Sequence, residues 1–388
     1  MISFDEALAL IADTAKPLAI EEVLLAEAHG RTLAAPVVAM VDAPPRDVSA
    51  MDGYAVREAE LPGRLPVAGT AYPGDPVVRL APGTCLRIFT GGPVPGGADR
   101  IVIQEEVTRD GDVAVFGAPG GGRHIRTRGA DFPEGATLLE AGRRLDPRAL
   151  VAAAGADLGE MEVWRQPRLA IFGTGDELAE PGRARDRPGA IPESLLAGVA
   201  ALAEEAGGMI VMSRRLKDNL PELVQMAGWA LERADLVVVT GGASVGEKDY
   251  AKAMFAPAGL ELIFSKVAIK PGKPVWFGRA GGRLVMGLPG NPSSAMVTAR
   301  LLLAPLVAAL GGRKAALHWR KSPLAVPLGP GDDRETFVRA SWDGEKVLPA
   351  SYQDSGAQRT LADAELLIRR RIGAPAAEAG DLVEIIDF

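Results

Sequence analysis

Apolar residues change their spacing along this chain, and each change predicts a stretch with its own architecture. Ser3-Phe4-Asp5-Glu6 places a glutamate three residues after a serine, a capping box that opens a first helix; Leu8, Leu10 and Ile11 supply its apolar positions. A second short helix is expected around Ile20 to Ala28, stopping at His29-Gly30, and Pro36, Pro44 and Pro45 keep the next segment extended. From about Leu61 to Leu139 the pattern becomes short β-prone pieces, Leu86 to Thr90, Ile101 to Glu106 and Val113 to Phe116, separated by Pro and Gly. Asp146-Pro147 then forms a good N-cap and first-turn pair for a helix ending near Gly155.

Residues 168 to about 311 alternate differently. Strands are predicted at Arg168 to Phe172, Met209 to Ser213, Asp235 to Val239, Ser265 to Ile269, Pro274 to Gly278 and Arg283 to Leu288. Helices are predicted at Ser194 to Ala206 and at Leu220 to Arg233, whose Leu220, Leu223, Val224, Ala227 and Leu231 fall on one face. A third, long and apolar, is capped by Asn291-Pro292 and runs to about Leu310. Strands alternating with helices imply a largely parallel sheet covered on both faces, with any ligand beyond the carboxyl ends of the strands. From His318 the texture is again that of a compact β-domain, with strands expected at Leu324 to Leu328, Thr336 to Ser341, Lys346 to Ala350, Leu366 to Ile372 and Leu382 to Ile386.

Composition narrows the function classes. At 388 residues the chain exceeds what one core supports, so two to four domains are expected, and 47% hydrophobic with 24% charged residues is ordinary for a globular protein. A net charge of −7 argues against a general nucleic-acid or anionic-membrane binder. No apolar run is expected to reach the roughly 20 residues of a membrane span, and the acidic start MISFDEALAL is unlike a signal peptide, so a cytoplasmic protein is expected. Cys85 stands alone, which excludes an internal disulfide and a thiolate zinc cluster; His29, His124 and His318 have no metal-ligand spacing.

The chemistry lies in the loops. In DLVVVTGGASVGEKDY, residues 235–250, the glycines after Thr240 suit backbone donors converging on an anion, although a plain β-to-α turn explains the same pattern. Glu177, Asp218 and Asp249 are acidic positions at predicted strand ends; buried together they would repel, and a hard divalent cation with substrate phosphate oxygens would resolve that. In AIKPGKP, residues 268–274, two prolines hold Lys270 and Lys273 on a stiff segment, either as fixed positive charge or as a solvated basic turn. SAMDGYAVR (49–57), TGGPVPGGAD (90–99) and RTRGADF (126–132) are turn-rich segments whose chemistry depends on their neighbours. The chain has no Walker A, GxGxxG or GxSxG sequence. Acids beside lysines and Gly-rich loops point to phosphate-linked group transfer.

Those segments together with GTGDEL (173–178), TGGASVGEKDY (240–250), KPGKP (270–274) and GLPGNP (287–292) occur in the order found in molybdopterin molybdenumtransferases. The chain resembles that family over essentially its whole length, and the gephyrin E domain is similar. The resemblance implies a transferase of molybdenum cofactor biosynthesis that converts adenylylated molybdopterin and molybdate to molybdenum cofactor with release of AMP, using Mg²⁺ or a similar divalent cation. It implies an α/β multidomain fold: a three-layer α/β molybdopterin-binding-like domain at 168–316, a small β-rich domain at 49–139, and a C-terminal β-barrel-like domain at 317–388. A helical linking region would comprise 1–48 and 140–167. It also implies a homodimer whose active site is shared between subunits, with other proteins of cofactor synthesis as further candidate partners.

Carried over by motif, Asp52 and Thr90 match catalytic positions contributed across the dimer, and Glu177 and Asp249 match catalytic, metal-binding acids. Asp131, Asp218, Gly241, Gly242 and Ser244 match substrate-binding positions, and Lys270, Lys273, Ser355, Arg334 and Arg339 the molybdate side. One departure stands out. Where the family carries an Asp-Ser-Asn stretch after the GDEL loop, this chain has Ile191-Pro192-Glu193-Ser194-Leu195; Glu193 can replace the aspartate one methylene longer, but Leu195 makes none of an asparagine's hydrogen bonds. The alternatives to be separated are adenylylation of molybdopterin and a non-catalytic gephyrin-like scaffold.

Overall fold

Asp235 to Val239, expected as a buried strand, forms the strand Leu236–Thr240, all five of whose residues are buried. The structure is a computed structural model that describes residues 1–241 and 250–388. The chain folds as two units, one formed by Met1–Glu21, Gly30–Ala34 and Val163–Phe388, the other by Glu22–His29 and Ala35–Glu162.

In the first unit Leu236–Thr240 lies within a six-stranded sheet of order Met209–Leu216, Arg168–Thr174, Leu236–Thr240, Arg283–Leu288, Trp276–Ala280, Glu261–Phe264. The first four strands are parallel, Trp276–Ala280 runs antiparallel to them, and Glu261–Phe264 pairs antiparallel with Trp276–Ala280 at the edge. Leu169, Ile171, Val238 and Met286 face a core shared with Val199, Leu301 and Leu306, while Phe172, Val237, Val239 and Val285 face Leu223, Ala227 and Phe255. Alternate residues of one strand are thus buried on opposite faces, which is why these strands read as unbroken apolar runs. The three-layer α/β expectation is met. At the foot of the central strand Asp235, 4% exposed, accepts two bonds from Arg165 at 2.8 and 2.9 Å and the Arg168 N–H at 2.8 Å.

The serine half of the expected capping box forms: Ser3 accepts the Glu6 N–H at 3.1 Å and opens the helix Phe4–Thr14, which buries Phe4, Ala7 and Ile11. Phe4 meets Phe337 edge-on with ring centroids 4.8 Å apart. Phe337 belongs to Glu335–Asp343, the longest strand of the C-terminal sheet. That strand pairs with Leu366–Arg370 and Lys346–Pro349, and Leu366–Arg370 continues through Leu382–Asp387 to Arg320–Pro323. A bridge between Leu324 and Val347 closes this ring around Leu324, Val338, Ile368 and Ile385, giving the expected barrel-like domain.

The second unit is built on a sheet of order Arg100–Ile103, Gly53–Val56, Cys85–Ile88, Gly63–Ala71, Val113–Phe116, Val107–Asp110. Gly53 is required by close approach, since a Cβ there would stand 2.1 Å from the Val102 carbonyl oxygen. Asp146 caps the helix Pro147–Gly155 by accepting the Ala149 N–H at 2.8 Å, as its sequence predicts.

Four expectations are corrected. Ile20 to Ala28 is the strand Ile20–Leu24 followed by a 3₁₀ turn Leu25–Glu27; its side chains alternate between exposed and half-buried, and that period of two outweighs local helix propensity. Ser265 to Ile269 is the crossing between the strands Glu261–Phe264 and Ile269–Lys270, the second of which joins the C-terminal sheet beside Glu335. The strand expected at Leu324 to Leu328 lies at Arg320–Pro323. Finally, Pro292–Leu310 is a 19-residue helix with mean hydropathy 1.7, long and apolar enough to cross a membrane, but 78% of its most apolar window is buried inside the protein, as in a core helix.

Candidate functional site

The parallel strands deliver three loops to one place. Arg168–Thr174 ends in Gly175, Leu236–Thr240 in Gly241, and Arg283–Leu288 in Pro289-Gly290-Asn291. Their glycines are needed for contact. Gly241 has φ +89° and a Cβ there would lie 2.5 Å from the Thr174 carbonyl oxygen; a Cβ on Gly290 would approach the Gly241 Cα to 3.3 Å. Thr174 donates its hydroxyl to the Thr240 carbonyl at 3.4 Å, tying the first two loops together. Beyond them opens a cavity of about 650 Å³ whose walls include Glu177, Glu193, Ser194, Gly241, Asn291 and Gln358.

Glu177 and Gly241 therefore stand in one cavity. Asp218 lies one strand away: its N–H donates to Asp176 at 3.2 Å and its carboxylate accepts the Asp176 N–H at 3.4 Å. Gly242, Ser244 and Asp249 lie outside the described residues. Glu193 is 7% exposed and accepts the N–H groups of Leu195 at 2.8 Å and Leu196 at 3.0 Å, so it caps the helix Leu196–Glu205. Leu195 is buried in the core. The position that lacks an asparagine thus packs, and the Gln358 amide reaches the same corner from the C-terminal domain, donating to the Ser194 hydroxyl at 3.1 Å.

A second cavity, about 380 Å³, is lined by Lys270, Lys273, Arg334, Gln353 and Ser355. The KPGKP segment is fixed against the long helix: Gly272 has φ +109°, and a Cβ on it would fall 2.2 Å from the Thr298 methyl. Ser355 is placed from two sides, since Asn291 donates to its hydroxyl at 3.0 Å and the Ser293 N–H donates to its carbonyl at 3.0 Å. Asn291 occupies the N-cap position of Pro292–Thr298 but makes no side-chain cap bond; its amide serves Ser355 instead. Arg339, 0% exposed, donates Nε to Gln353 at 3.3 Å and Nη1 to the Asp354 carbonyl at 2.9 Å and to the Ser293 hydroxyl. Burial holds its pKa below that of ordinary arginine, and its Nη2 is buried without a hydrogen-bond partner. The structure thus joins Lys270, Lys273, Arg334 and Ser355 around one cavity and sets Arg339 behind the loop that carries Ser355.

The remaining predicted residues belong to the other unit. Asp52 Oδ1 accepts both the backbone N–H and the hydroxyl of Thr90, at 2.7 and 2.8 Å; these bonds, with Arg87 nearby, hold the Asp52 carboxyl below its usual pKa. The three motifs of this unit converge. Ile125–Arg126 pairs with Val48–Ser49, and the Ser49 N–H donates to the Gly92 carbonyl at 2.9 Å. Asp131 is exposed, its N–H bonded to the Ala43 carbonyl at 2.9 Å.

Comparison with known proteins decides the family. Three family models match in succession: the MoeA N-terminal region (domain I and II) over residues 2–156, a probable molybdopterin binding domain over 170–309, and the MoeA C-terminal region (domain IV) over 321–388. Molybdopterin molybdenumtransferase of Haemophilus influenzae is 38% identical over 312 residues, 79% of this chain and 76% of the relative. Molybdopterin molybdenumtransferase 2 of Mycobacterium tuberculosis is 33% identical over 383 residues, 94% of each chain. The chain belongs to the molybdopterin molybdenumtransferase family. The crystal structure of the molybdopterin biosynthesis moeA protein of Pyrococcus horikoshii OT3 agrees, with a TM-score of 0.84 at 25% identity over 100% of both chains.

Within this molybdenumtransferase fold, sequence reasoning missed Gln358 and the part Asn291 plays at Ser355. Both act across more than sixty residues of chain, 164 between Gln358 and Ser194 and 64 between Asn291 and Ser355. Neither belongs to a pattern that local spacing exposes. Among the described residues no group of three or more His, Cys, Asp or Glu side chains is placed to hold a metal ion.

Proposed function

We propose that the chain is the enzyme that inserts molybdate into adenylylated molybdopterin, releasing AMP and yielding molybdenum cofactor. The observation that carries this reading is the adjoining pair of cavities. One, of about 650 Å³, is walled by the strand-end loops with Glu177; the other, of about 380 Å³, presents Lys270, Lys273, Arg334 and Ser355. Ser294 and Pro274 line both. A large pterin adenylate suits the first. A tetrahedral oxodianion suits the second, where cations and a hydroxyl on stiff supports hold it at small entropic cost. The reaction joins two bound substrates, so the protein's work is positioning and charge stabilisation.

The same reading includes a Mg²⁺ or similar cation at Glu177 and Asp249, where it would neutralise phosphate charge on the adenylate. Magnesium asks for only one or two carboxylates beside water and phosphate oxygens, and Glu177, exposed on the cavity wall, meets that donor chemistry. It further includes a cytoplasmic homodimer, with Asp52 and Thr90 contributed across the dimer and Asp131 and Asp218 toward substrate, and the four-domain division given above. The relatives' shared name and the motif order support these points together.

The test is AMP release from adenylylated molybdopterin by the purified full chain. Molybdate-dependent release that needs a divalent cation is expected, and a folded Asp249→Ala protein should lose it. Formation of the adenylate from molybdopterin and ATP would instead establish the adenylyltransferase reading, and neither reaction by a folded dimer would establish a scaffold.

A further inference from the structure

The basic segment Ile269–Lys270 is a strand of the C-terminal sheet, and its register creates a row. Lys270 pairs with Thr336, and Thr336 pairs with Arg370, so the three side chains lie in line across adjacent strands on one face. The 328–332 turn lies beside this row and borders an open cleft of about 280 Å³ lined by Lys270, Thr336, Arg370 and Asp332. It adjoins the 380 Å³ cavity that holds Lys273 and Ser355 along a wall of Lys270, Thr336 and Val338, while Arg370 and the 328–332 turn line it alone.

Arg370 is the unusual member. Its residue is 8% exposed, it donates Nη2 to the carbonyls of Gly329, at 3.0 Å, and Pro375, and its Nε is buried without a hydrogen-bond partner. Among the described residues no carboxylate forms an ion pair with it. Its neighbour Arg369 shows the contrast, being paired with Glu335 and Asp5. A buried guanidinium without a counter-charge is costly unless an anion visits. Burial accordingly depresses its pKa with no acidic partner to offset the effect. The other cation, Lys270, is held by Asp332 at 2.7 Å, and both side chains of that pair are about half exposed, at 52% and 44%.

We propose that this cavity is a second oxyanion site, which takes a tetrahedral oxodianion of the substrate's class between Arg370 and Lys270, with Asp332 as the internal carboxylate that the anion displaces from Lys270. The proposal rests on the functional reading above only for the anion's class. Because Lys270 borders both cavities, an oxodianion bound beside Arg370 stands next to the Lys273 and Ser355 site, and the two sites compete for one ammonium group. Asp332 sets the threshold. Its carboxyl, held by Lys270 and the Asp333 N–H at a pKa of about 2, stays ionised through the neutral range, so the competition persists there.

Calorimetric titration of the full-length protein with sodium molybdate, and separately with sodium sulfate, at low ionic strength tests this. Two saturable events are expected for at least one of the anions, one lost in Lys273→Ala and the other in Arg370→Gln. A charge-assisted hydrogen bond is worth roughly tenfold or more in affinity, so Arg370→Gln should weaken its event by at least about that factor. Asp332→Asn should tighten the same event several-fold, a gain that misfolding cannot imitate even if Arg370→Gln loosens the 329 and 375 turns. A single event abolished by Lys273→Ala and unmoved by Asp332→Asn overturns the second site and leaves the functional reading standing. No binding of either anion anywhere overturns both. Comparison of the two anions shows whether the site selects the substrate or accepts oxodianions generally, and either result supports it.

Discussion

Replacing Arg339 by Met tests how the oxyanion-side loop is held. The guanidinium is wholly buried and gives its Nε and Nη1 hydrogens to Gln353, the Asp354 carbonyl and the Ser293 hydroxyl. The Gln353 amide in turn donates to the carbonyls of Arg339, at 2.9 Å, and Ala350, at 2.8 Å, so one side chain clamps the loop that ends at Ser355. Methionine of similar length restores packing and removes the desolvation cost of a buried charge, but three bonds are lost; Gln353 keeps the backbone N–H of residue 339 at 3.1 Å and the Asp354 carbonyl keeps the Ala357 N–H at 3.2 Å, so the Ser293 hydroxyl is the acceptor left without its donor, at about 1–3 kcal/mol. After the relieved desolvation is set against this, a net loss of about 1–2 kcal/mol is expected, read as a lower urea midpoint by tryptophan fluorescence. The functional consequence is separable. If Arg339 acts by placing Ser355, the KM for molybdate in AMP release rises about tenfold, the worth of one misplaced hydrogen bond, while kcat changes little, and Arg339→Lys recovers part of it. If the free Nη2 itself meets the oxyanion, the loss is larger and lysine does not rescue. A folded Arg339→Met protein with unchanged midpoint and unchanged KM would refute the clamp.

Two further outcomes follow from buried carboxylates. Glu193→Ala should cost about 1 kcal/mol, and no more than about 2, because it strips the cap from Leu196–Glu205; a thermal midpoint equal to that of the parent protein would show that the Leu195 and Leu196 N–H groups need no such acceptor. Asp235 carries a pH dependence: burial alone would raise its pKa, but Arg165, the Arg168 N–H and the nearby guanidinium charges outweigh burial and hold it below the ordinary value. A folded pKa below the unfolded one, about 3.9, means that this stabilisation is complete above pH 4 or so and drains away as pH falls through the folded value. Urea midpoints of the parent protein and Asp235→Asn should therefore differ most near neutrality and converge in acid, and parallel curves down to pH 2 would refute the assignment.

How far the sequence exposed this molecule depends on the range of the forces involved. The α/β sheet was readable because each strand buries alternate residues on two faces, so Leu236–Thr240 and Arg283–Leu288 are apolar throughout. Two of the three expected caps form for the same reason of locality, Ser3 and Asp146 accepting N–H groups three residues on, whereas Asn291 is drawn off to Ser355. Ile20–Leu24 was not, since Glu-Glu followed by Leu-Ala-Glu favours a helix until the neighbouring chain supplies ladder bonds, as Gly159 does for the Leu25 N–H at 2.8 Å. Of the candidate site, residues at glycine-marked strand ends could be named in advance, whereas their supports could not.

Those supports explain why the motifs sit where they do. KPGKP reads in sequence as two lysines on a proline frame, equally suited to a solvated turn. In the fold its first lysine is also a strand residue, bonded in register to Thr336 and through it to Arg370, while Gly272 leaves just enough space against Thr298. The segment thereby leaves the edge of the α/β sheet, contributes a strand to the C-terminal barrel and returns with Trp276, so its lysines cannot shift without disturbing both domains. Rigidity of that kind lowers the entropic cost of gathering like charges round an anion. It also constrains evolution of the site: a change in Asp332, Thr336 or Arg370 would move the electrostatics at Lys270 without touching any residue that the motif itself contains.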